Sequence, residues 1–158
     1  MPKTQAADAA RPIVIRSITE AADRHDRSVE AEHLLLAILH DPKLPAARTF
    51  AASGLTTGWW QRALAEERRE TLSSVGITTV DDSRLQSTPS GKRPAWGASG
   101  REALKRASQH AVDRGRRHRM DDIDIALGVL DAPLGTIARV AARHGLEVGT
   151  LAARLRAA

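Results

Sequence analysis

The feature that most constrains this fold is an internal repeat: residues 29–64 match residues 120–155 at an offset of 91. The identical pairs include Leu36/Leu127, Leu39/Leu130, Pro42/Pro133, Gly54/Gly145, Leu55/Leu146 and Leu64/Leu155. The match has no gap through a helical pattern, a proline turn, a second helical pattern and a glycine turn, which indicates a duplicated unit. One copy alone buries too little apolar surface, so we expect both halves to pack as one domain.

Apolar residues recur at helical spacing in both copies, and no segment shows the sustained alternation of a strand. The predicted helices span residues 12–26, 29–41, 44–53, 57–71, 100–114, 121–131, 135–144 and 148–157. We therefore predict an all-α fold in which two pseudo-symmetric four-helix repeats pack as one eight-helix domain.

The remaining segments define the predicted domain boundaries. Residues 1–11 carry no apolar pattern and are predicted to be disordered. The first repeat then covers 12–71, and the second covers 99–158. Residues 72–98 are rich in Ser, Thr, Gly and Pro, which is typical of a linker.

Composition and motifs argue against several classes of function. The 158-residue chain has no cysteine, which excludes disulfides, thiolate metal sites and a cysteine nucleophile. It contains no phosphate-binding loop, no nucleophile motif around serine and no zinc spacing among its six histidines. It also lacks a signal-peptide pattern and a long apolar run. We therefore expect a cytoplasmic, non-enzymatic protein without metal or cofactor.

The two central helices, 29–41 and 121–131, are apolar on nearly every side, yet each begins with carboxylates. These are Glu30 and Glu32 in the first copy, and Asp121, Asp122 and Asp124 in the second. A buried helix start has unpaired N–H groups and a positive dipole end, which acidic side chains satisfy. In this interpretation Glu32→Gln costs about 0.3–1 kcal/mol of stability.

The first copy also carries a recognisable motif, AEHLLLAILHDPKLPAARTFAASGL. It resembles the pattern of the Clp N-terminal (Clp repeat) domain family, found at the front of the ClpA and ClpC unfoldases. The second copy, MDDIDIALGVLDAPLGTIARVAARHGL, keeps the apolar frame but lacks the Glu-His pair. The resemblance covers about residues 12–157. It implies an all-α double repeat that recruits substrates and adaptors for an ATP-driven protease.

The resemblance implies Clp unfoldase or protease components, adaptors and substrate proteins as partners. Because no ATPase motif is found, we expect the recruiting module to act alone. Its role would be that of an adaptor, a decoy, or a sink for small molecules that target ClpC N-terminal domains.

The resemblance also implies a binding residue. In ClpC-type members the matching glutamate helps bind phosphorylated arginine, and its counterpart here is Glu32. A carboxylate suits a guanidinium because both form a two-pronged, charge-assisted pair. The family's supporting hydroxyl is replaced by Ala7, and the second copy has Ile123 at the matching position. We therefore expect at most one such site per chain.

Three other groups of residues have alternative interpretations. Next to the leucine run, His33 is predicted to be a core histidine rather than a catalytic one. Adjacent on one helix, Trp59 and Trp60 cannot both face inward, so one is free to contact a partner. The cluster RGRRHRM is either a solvated turn or an anion contact through Arg114, Arg116, Arg117 and Arg119.

The alternative function is a helix-turn-helix-like DNA-binding regulator. Residues 138–158 fit that frame, with Gly145 in the turn and residues 148–157 as the recognition helix. That helix offers only Arg154 and Arg156 and has no Asn or Gln to read adenine. We therefore expect any binding of nucleic acid to be weak and sensitive to salt.

Overall fold

The computed structural model describes residues 9–78, 91–116 and 119–158, which contain eight helices and one pair of two-residue strands. The elements are α1 Ala10–Asp23, β1 Ser28–Val29, α2 Ala31–His40, α3 Pro45–Ala52, α4 Thr57–Ser74, β2 Ala95–Trp96, α5 Ala98–Asp113, α6 Asp122–Leu130, α7 Thr136–Arg143 and α8 Val148–Ala157. The predicted all-α fold with two four-helix repeats is confirmed, and every helix end lies within three residues of its predicted position.

The central helices of the core are α2 and α6, as predicted. Nearly all of their side chains are buried, including Leu34, Leu35, Ile125 and Leu127. A helix that is apolar on all sides has no face for water, so other helices must surround it. The first helix of each repeat, α1 or α5, packs along its central helix, and α2 also contacts α6.

Turns at equivalent positions explain two of the matched glycines. Gly54 follows α3 with φ +77°, and Gly145 follows α7 with φ +61°. These left-handed conformations are strained for residues with a Cβ, which is why glycine commonly ends a helix in this way. The two turns then lead into α4 and α8 at the same offset of 91 residues.

The gapless match covers residues 29–64 and 120–155 and does not include the first helices. They match at an offset of 90, as shown by their buried positions, Ile13, Ser17 and Ala21 in α1 and Ala103, Ala107 and Ala111 in α5. The central helices begin after Glu30 and Asp121, which restores the offset to 91. The loop before α6 is therefore one residue longer, a change that a surface connection tolerates more readily than a packed helix does.

The sequence did not predict the parallel pairing of β1 with β2, in which Ser28 pairs with Ala95 and Val29 with Trp96. This pair joins the entrance of α2 to the entrance of α5. Strand β2 and the last three residues of α4 lie within the predicted linker 72–98. Residues 79–90 of that linker lie outside the described residues. Residues 1–8 of the predicted disordered segment also lie outside them.

None of the helices described is long and apolar enough to cross a membrane.

Candidate functional site

A cavity of about 300 Å³ lies at the start of α2, where the two repeats meet. Its walls are the loop between α1 and α2, the first turn of α2, one side of α4, and the start of α7. Charged side chains line it on several sides, among them Arg27, Glu32, Arg68 and Arg139. The predicted site residue Glu32 therefore lies in a cavity that both repeats build.

The half-buried Glu32 carboxylate lacks a cationic partner among the described residues. It accepts a hydrogen bond from its own backbone N–H, as expected of a helix-start acid. Burial raises the pKa of Glu32, and the nearby Glu30 and Asp26 carboxylates add to this effect. The ionised side chain is therefore in an unfavourable environment, and a cationic ligand would relieve it.

A hydrogen-bonded pair beneath the cavity holds this helix start in place. His33 is 1% exposed, and its Nδ1 accepts from the backbone N–H of Glu30 at 2.9 Å. Nδ1 therefore carries no proton, so Nε2 donates to Asp26 Oδ2 at 3.0 Å. Both ring nitrogens are satisfied, and the geometry is that of the predicted core histidine.

Two arginines lie near the Asp26 carboxylate without hydrogen-bonding to it. Arg68 approaches to 3.6 Å and Arg24 to 3.9 Å. Burial by itself would raise the pKa of Asp26, but the hydrogen bond from His33 and these two cations hold it below its ordinary value. Asp26 is thus a compensated carboxylate, in contrast to Glu32.

The other predicted helix-start acid, Glu30, also binds the opposite repeat. Its carboxylate accepts from the backbone N–H of Ser99 at 3.1 Å, from that of Gly100, and from the Ser28 hydroxyl at 2.7 Å. It thereby caps the start of α5, whose own N-cap residue is Gly97. A Cβ at Gly97 would lie 1.8 Å from Glu30 Oε1, so only glycine leaves room for this carboxylate.

The start of α6 uses the same residue types differently. Asp121 and Asp124 accept each other's backbone N–H groups at 2.9 and 3.0 Å. Arg114 Nη1 pairs with Asp121 at 3.0 Å and with Asp124 at 2.7 Å, and Arg116 also pairs with Asp121. The position that matches Glu32 is Ile123, which is buried in the core.

These ion pairs bear on the predicted basic cluster. Arg114 and Arg116 are engaged by Asp121 and Asp124, so their charges are largely compensated within the domain. Arg119 is exposed, whereas Arg117 lies outside the described residues. Anion or nucleic-acid binding by this cluster stays a prediction.

The tryptophans lie on α4 where it faces α7. Trp60 is fully buried, and Trp59 is half-buried with its ring 4.9 Å from that of Trp60 and 5.0 Å from that of His144. Only one of the two faces inward completely, as helix geometry requires. A role of Trp59 in contacting a partner stays a prediction.

The predicted recognition helix of the DNA-binding alternative is α8. Leu151 and Leu155 are buried, and Arg154 donates to the Ser53 hydroxyl at 3.0 Å. One of its two arginines is therefore engaged within the domain. Among the described residues, no three His, Asp or Glu side chains are grouped so that they could hold a metal ion.

No protein-family model matches the sequence, and no curated protein matches it. The structure is similar to the N-terminal domain of the caseinolytic protease associated chaperone ClpD from Arabidopsis thaliana, with a TM-score of 0.59 and 21% identity over 98% of this chain and 97% of that chain. It is also similar to the Hsp104 N-terminal domain from Candida albicans, with a TM-score of 0.62 and 12% identity over 94% of this chain and 87% of that chain. The chain has the Clp N-domain fold, which the motif in the first copy predicted.

Proposed function

We propose that this protein is a non-catalytic binding protein of a Clp protease system, which recognises substrate or adaptor proteins through the cavity at Glu32. The fold supports this general role. The observation that carries the proposal is the Glu32 carboxylate, which lines an open cavity without a cationic partner among the described residues. Burial in the cavity raises the pKa of Glu32, and carboxylates perturbed in this way are candidates for functional residues.

The proposed ligand group is the guanidinium of an arginine, above all a phosphorylated one. A guanidinium presents paired N–H donors that match the two oxygens of a carboxylate. Its charge would also offset that of Glu32, which the domain leaves uncompensated. The matching position in the second repeat holds Ile123, so one chain offers one such carboxylate.

The roles of adaptor, decoy and sink for small molecules all use the same recognition step. Each requires a cavity that accepts a small group exposed on a peptide or drug, and about 300 Å³ is enough for one side chain. No described feature favours the DNA-binding alternative. All three roles therefore depend on binding at Glu32.

Calorimetric titration of the protein with a phosphoarginine-containing peptide tests the proposal. We expect one site per chain, and we expect Glu32→Gln to weaken binding roughly ten- to a hundredfold because it removes a charge-assisted pair of about 1.5–3 kcal/mol.

Glu102→Gln is the matched control, because Glu102 is an exposed glutamate on α5 outside the cavity. It should leave binding unchanged. Two equivalent sites, or tight binding that survives Glu32→Gln, would show that the pocket lies elsewhere.

A further inference from the structure

We infer that a second cavity, between the end of α6, α7 and the start of α8, binds a partner protein by taking the phenyl ring of a phenylalanine that has a lysine or arginine nearby. The cavity at Glu32 is lined by Thr136 and Arg139 of α7, whereas the second cavity is lined by Ile137 and Ala141. The inference therefore concerns a separate surface and does not depend on the proposed function of Glu32.

Every residue that lines the second cavity is apolar, and the cavity has a volume of about 320 Å³. Leu130, Ile137 and Ala141 are almost completely buried, and Leu146 and Val148 are half-buried. An apolar cavity of about 150 Å³ is large enough for a benzene molecule. An apolar ring therefore fits here, whereas a charged group would lose its hydration without gaining a polar partner.

The first repeat carries an aromatic ring at the corresponding position. At the offset of 91, Ala141 corresponds to Phe50, which is completely buried and packs edge-to-face on Trp60 with ring centroids 6.3 Å apart. Trp60 in turn corresponds to Leu151, so the second repeat lacks both rings of this pair. A phenyl ring from a partner would supply what Ala141 leaves out.

The surroundings of this position are also more open in the second repeat. Ala47 and Leu55 are 4% and 6% exposed, whereas their counterparts Ala138 and Leu146 are half-buried. Ile137 replaces an alanine of the first repeat and returns only part of the lost volume, because the cavity remains beside it. The space that one repeat fills with its own phenylalanine is thus left accessible in the other.

An exposed leucine extends the apolar surface next to the cavity. Leu134 is 83% exposed and lies in sequence between Ala132 and Ile137, which both line the cavity. The corresponding residue of the first repeat is Lys43, which is polar as expected for an exposed loop. Exposed apolar surface that continues into an apolar cavity is typical of an interaction site.

The charges near the cavity indicate which residues accompany the phenylalanine. Glu147 lies between Leu146 and Val148, is exposed, and makes no side-chain hydrogen bond or ion pair with the described residues. Two cations of α7, Arg139 and Arg143, pair instead with Glu67 on α4. The cavity therefore has an uncompensated negative charge beside it, which favours a partner segment that carries a lysine or arginine.

The test is an NMR titration of the isotope-labelled protein with the peptide Lys-Gly-Phe-Gly-Lys, blocked at both ends. We expect saturable shifts of the amide signals of Ile137, Leu146 and Val148. Replacing the phenylalanine of the peptide by alanine should weaken binding about ten- to a hundredfold, because burial of the ring supplies most of the affinity.

A second pair of measurements tests the charge. Replacing both lysines of the peptide by glutamate should weaken binding about two- to fivefold, as expected for an exposed ion pair. Glu147→Gln should weaken binding of the lysine peptide to the same extent and remove the preference for lysine over glutamate.

Ala141→Phe places the ring of the first repeat inside the cavity and should abolish binding of the peptide. Ala138→Leu narrows the same cavity from a half-buried position and should do the same, so the result does not depend on one variant. Ala153→Phe is the matched control, because Ala153 is exposed on α8 and does not line the cavity. It should bind as the wild type does, and thermal unfolding verifies that all variants are folded.

The inference is overturned if the wild type shows no saturable binding, if the alanine peptide binds equally well, or if binding survives both Ala141→Phe and Ala138→Leu. It is also wrong if sedimentation shows a dimer that Leu134→Ser dissociates, because a second copy would then cover the cavity. These results leave the proposed function intact, since Ala141→Phe should bind a phosphoarginine peptide as the wild type does. The proposed function fails instead if the wild type does not bind that peptide.

Discussion

The starts of α2 and α6 are equivalent in the repeat, yet they balance their charges in opposite ways. The matched positions are Glu30 with Asp121, Glu32 with Ile123, and His33 with Asp124. At α6 the preceding loop brings two arginines, which pair with the aspartates and close the helix start. At α2 the arginines of the preceding loop do not pair with Glu32, whose carboxylate has no cationic partner among the described residues.

The two helix starts differ in whether the fold compensates the charge of their carboxylates. Burial raises the pKa of Asp121, but hydrogen bonding to Asp124 and the charges of Arg114 and Arg116 more than offset it, leaving that pKa below its ordinary value. For Glu32 the hydrogen bond from its own backbone N–H and the electrostatic effect of His33 do not offset burial, and its pKa is raised. A carboxylate that the fold itself does not stabilise is consistent with the binding role proposed for Glu32.

The largest expected effect comes from making α6 resemble α2. Ile123→Glu places a carboxylate in the core, where Ile123 is only 3% exposed, and should lower the free energy of unfolding by about 3–5 kcal/mol. Urea denaturation at neutral pH measures this, and the loss should shrink in acid as the new carboxyl becomes protonated.

Ile123→Val is the control, with an expected cost of about 0.5–1.5 kcal/mol. A stable Ile123→Glu protein that binds a second phosphoarginine peptide would show that the two helix starts are more alike than the structure indicates.

A second expected effect concerns hydrogen bonds in which an acidic side chain of one repeat caps a helix of the other repeat. We call these crossed caps. Asp122 Oδ2 accepts from the backbone N–H of Ala46 at 2.7 Å, so α6 caps α3 as Glu30 caps α5. Asp122→Ala and Glu30→Ala should each lower the free energy of unfolding by about 1–3 kcal/mol, because each leaves backbone donors without a partner. Chemical denaturation measures both.

Glu102→Ala, at an exposed position of α5, should cost less than about 0.5 kcal/mol. If Asp122→Ala and Glu30→Ala cost no more than this control, the crossed caps do not hold the repeats together.

The smallest expected effect is a change in pH dependence. Since the folded-state pKa of Glu32 lies above its ordinary value of 4.5, the folded protein binds more protons than the unfolded chain between these two values. Stability is therefore lost as the pH rises through that window. Glu32→Gln should accordingly raise the melting temperature slightly at pH 7, with an advantage that disappears below pH 4.5. This gain in stability is opposite in sign to the small loss of stability that the helix dipole alone predicts for Glu32→Gln.

Asp26→Asn provides the opposite case. The pKa of Asp26 is held below its ordinary value of 3.8, so its contribution to stability is present above that value and is lost as the pH falls through the folded pKa. This variant should be less stable than the wild type at pH 7. Melting curves from pH 3 to pH 8 that moved in the same direction for both variants would contradict this assignment of charges.

Much of the fold could be predicted because its signals are local. The helix bounds follow from apolar spacing, and the turns at Gly54 and Gly145 follow from the conformational freedom of glycine. The candidate site residue Glu32 was also identified from sequence, through the family motif. Its neighbours in the cavity, such as Arg68 and Arg139, were not, because they are distant in sequence and no periodic pattern connects them.

By itself, the sequence determined the eight helices, their duplication and the burial of α2 and α6, since a helix that is apolar on all sides must lie inside. Only the tertiary structure decided which charges meet at each helix start. It placed Glu30 at the start of α5, Asp122 at the start of α3, and Arg114 beside Asp124. The physical reason is that a carboxylate is satisfied by whatever donor the packing brings within about 3 Å, and that donor need not be near in sequence.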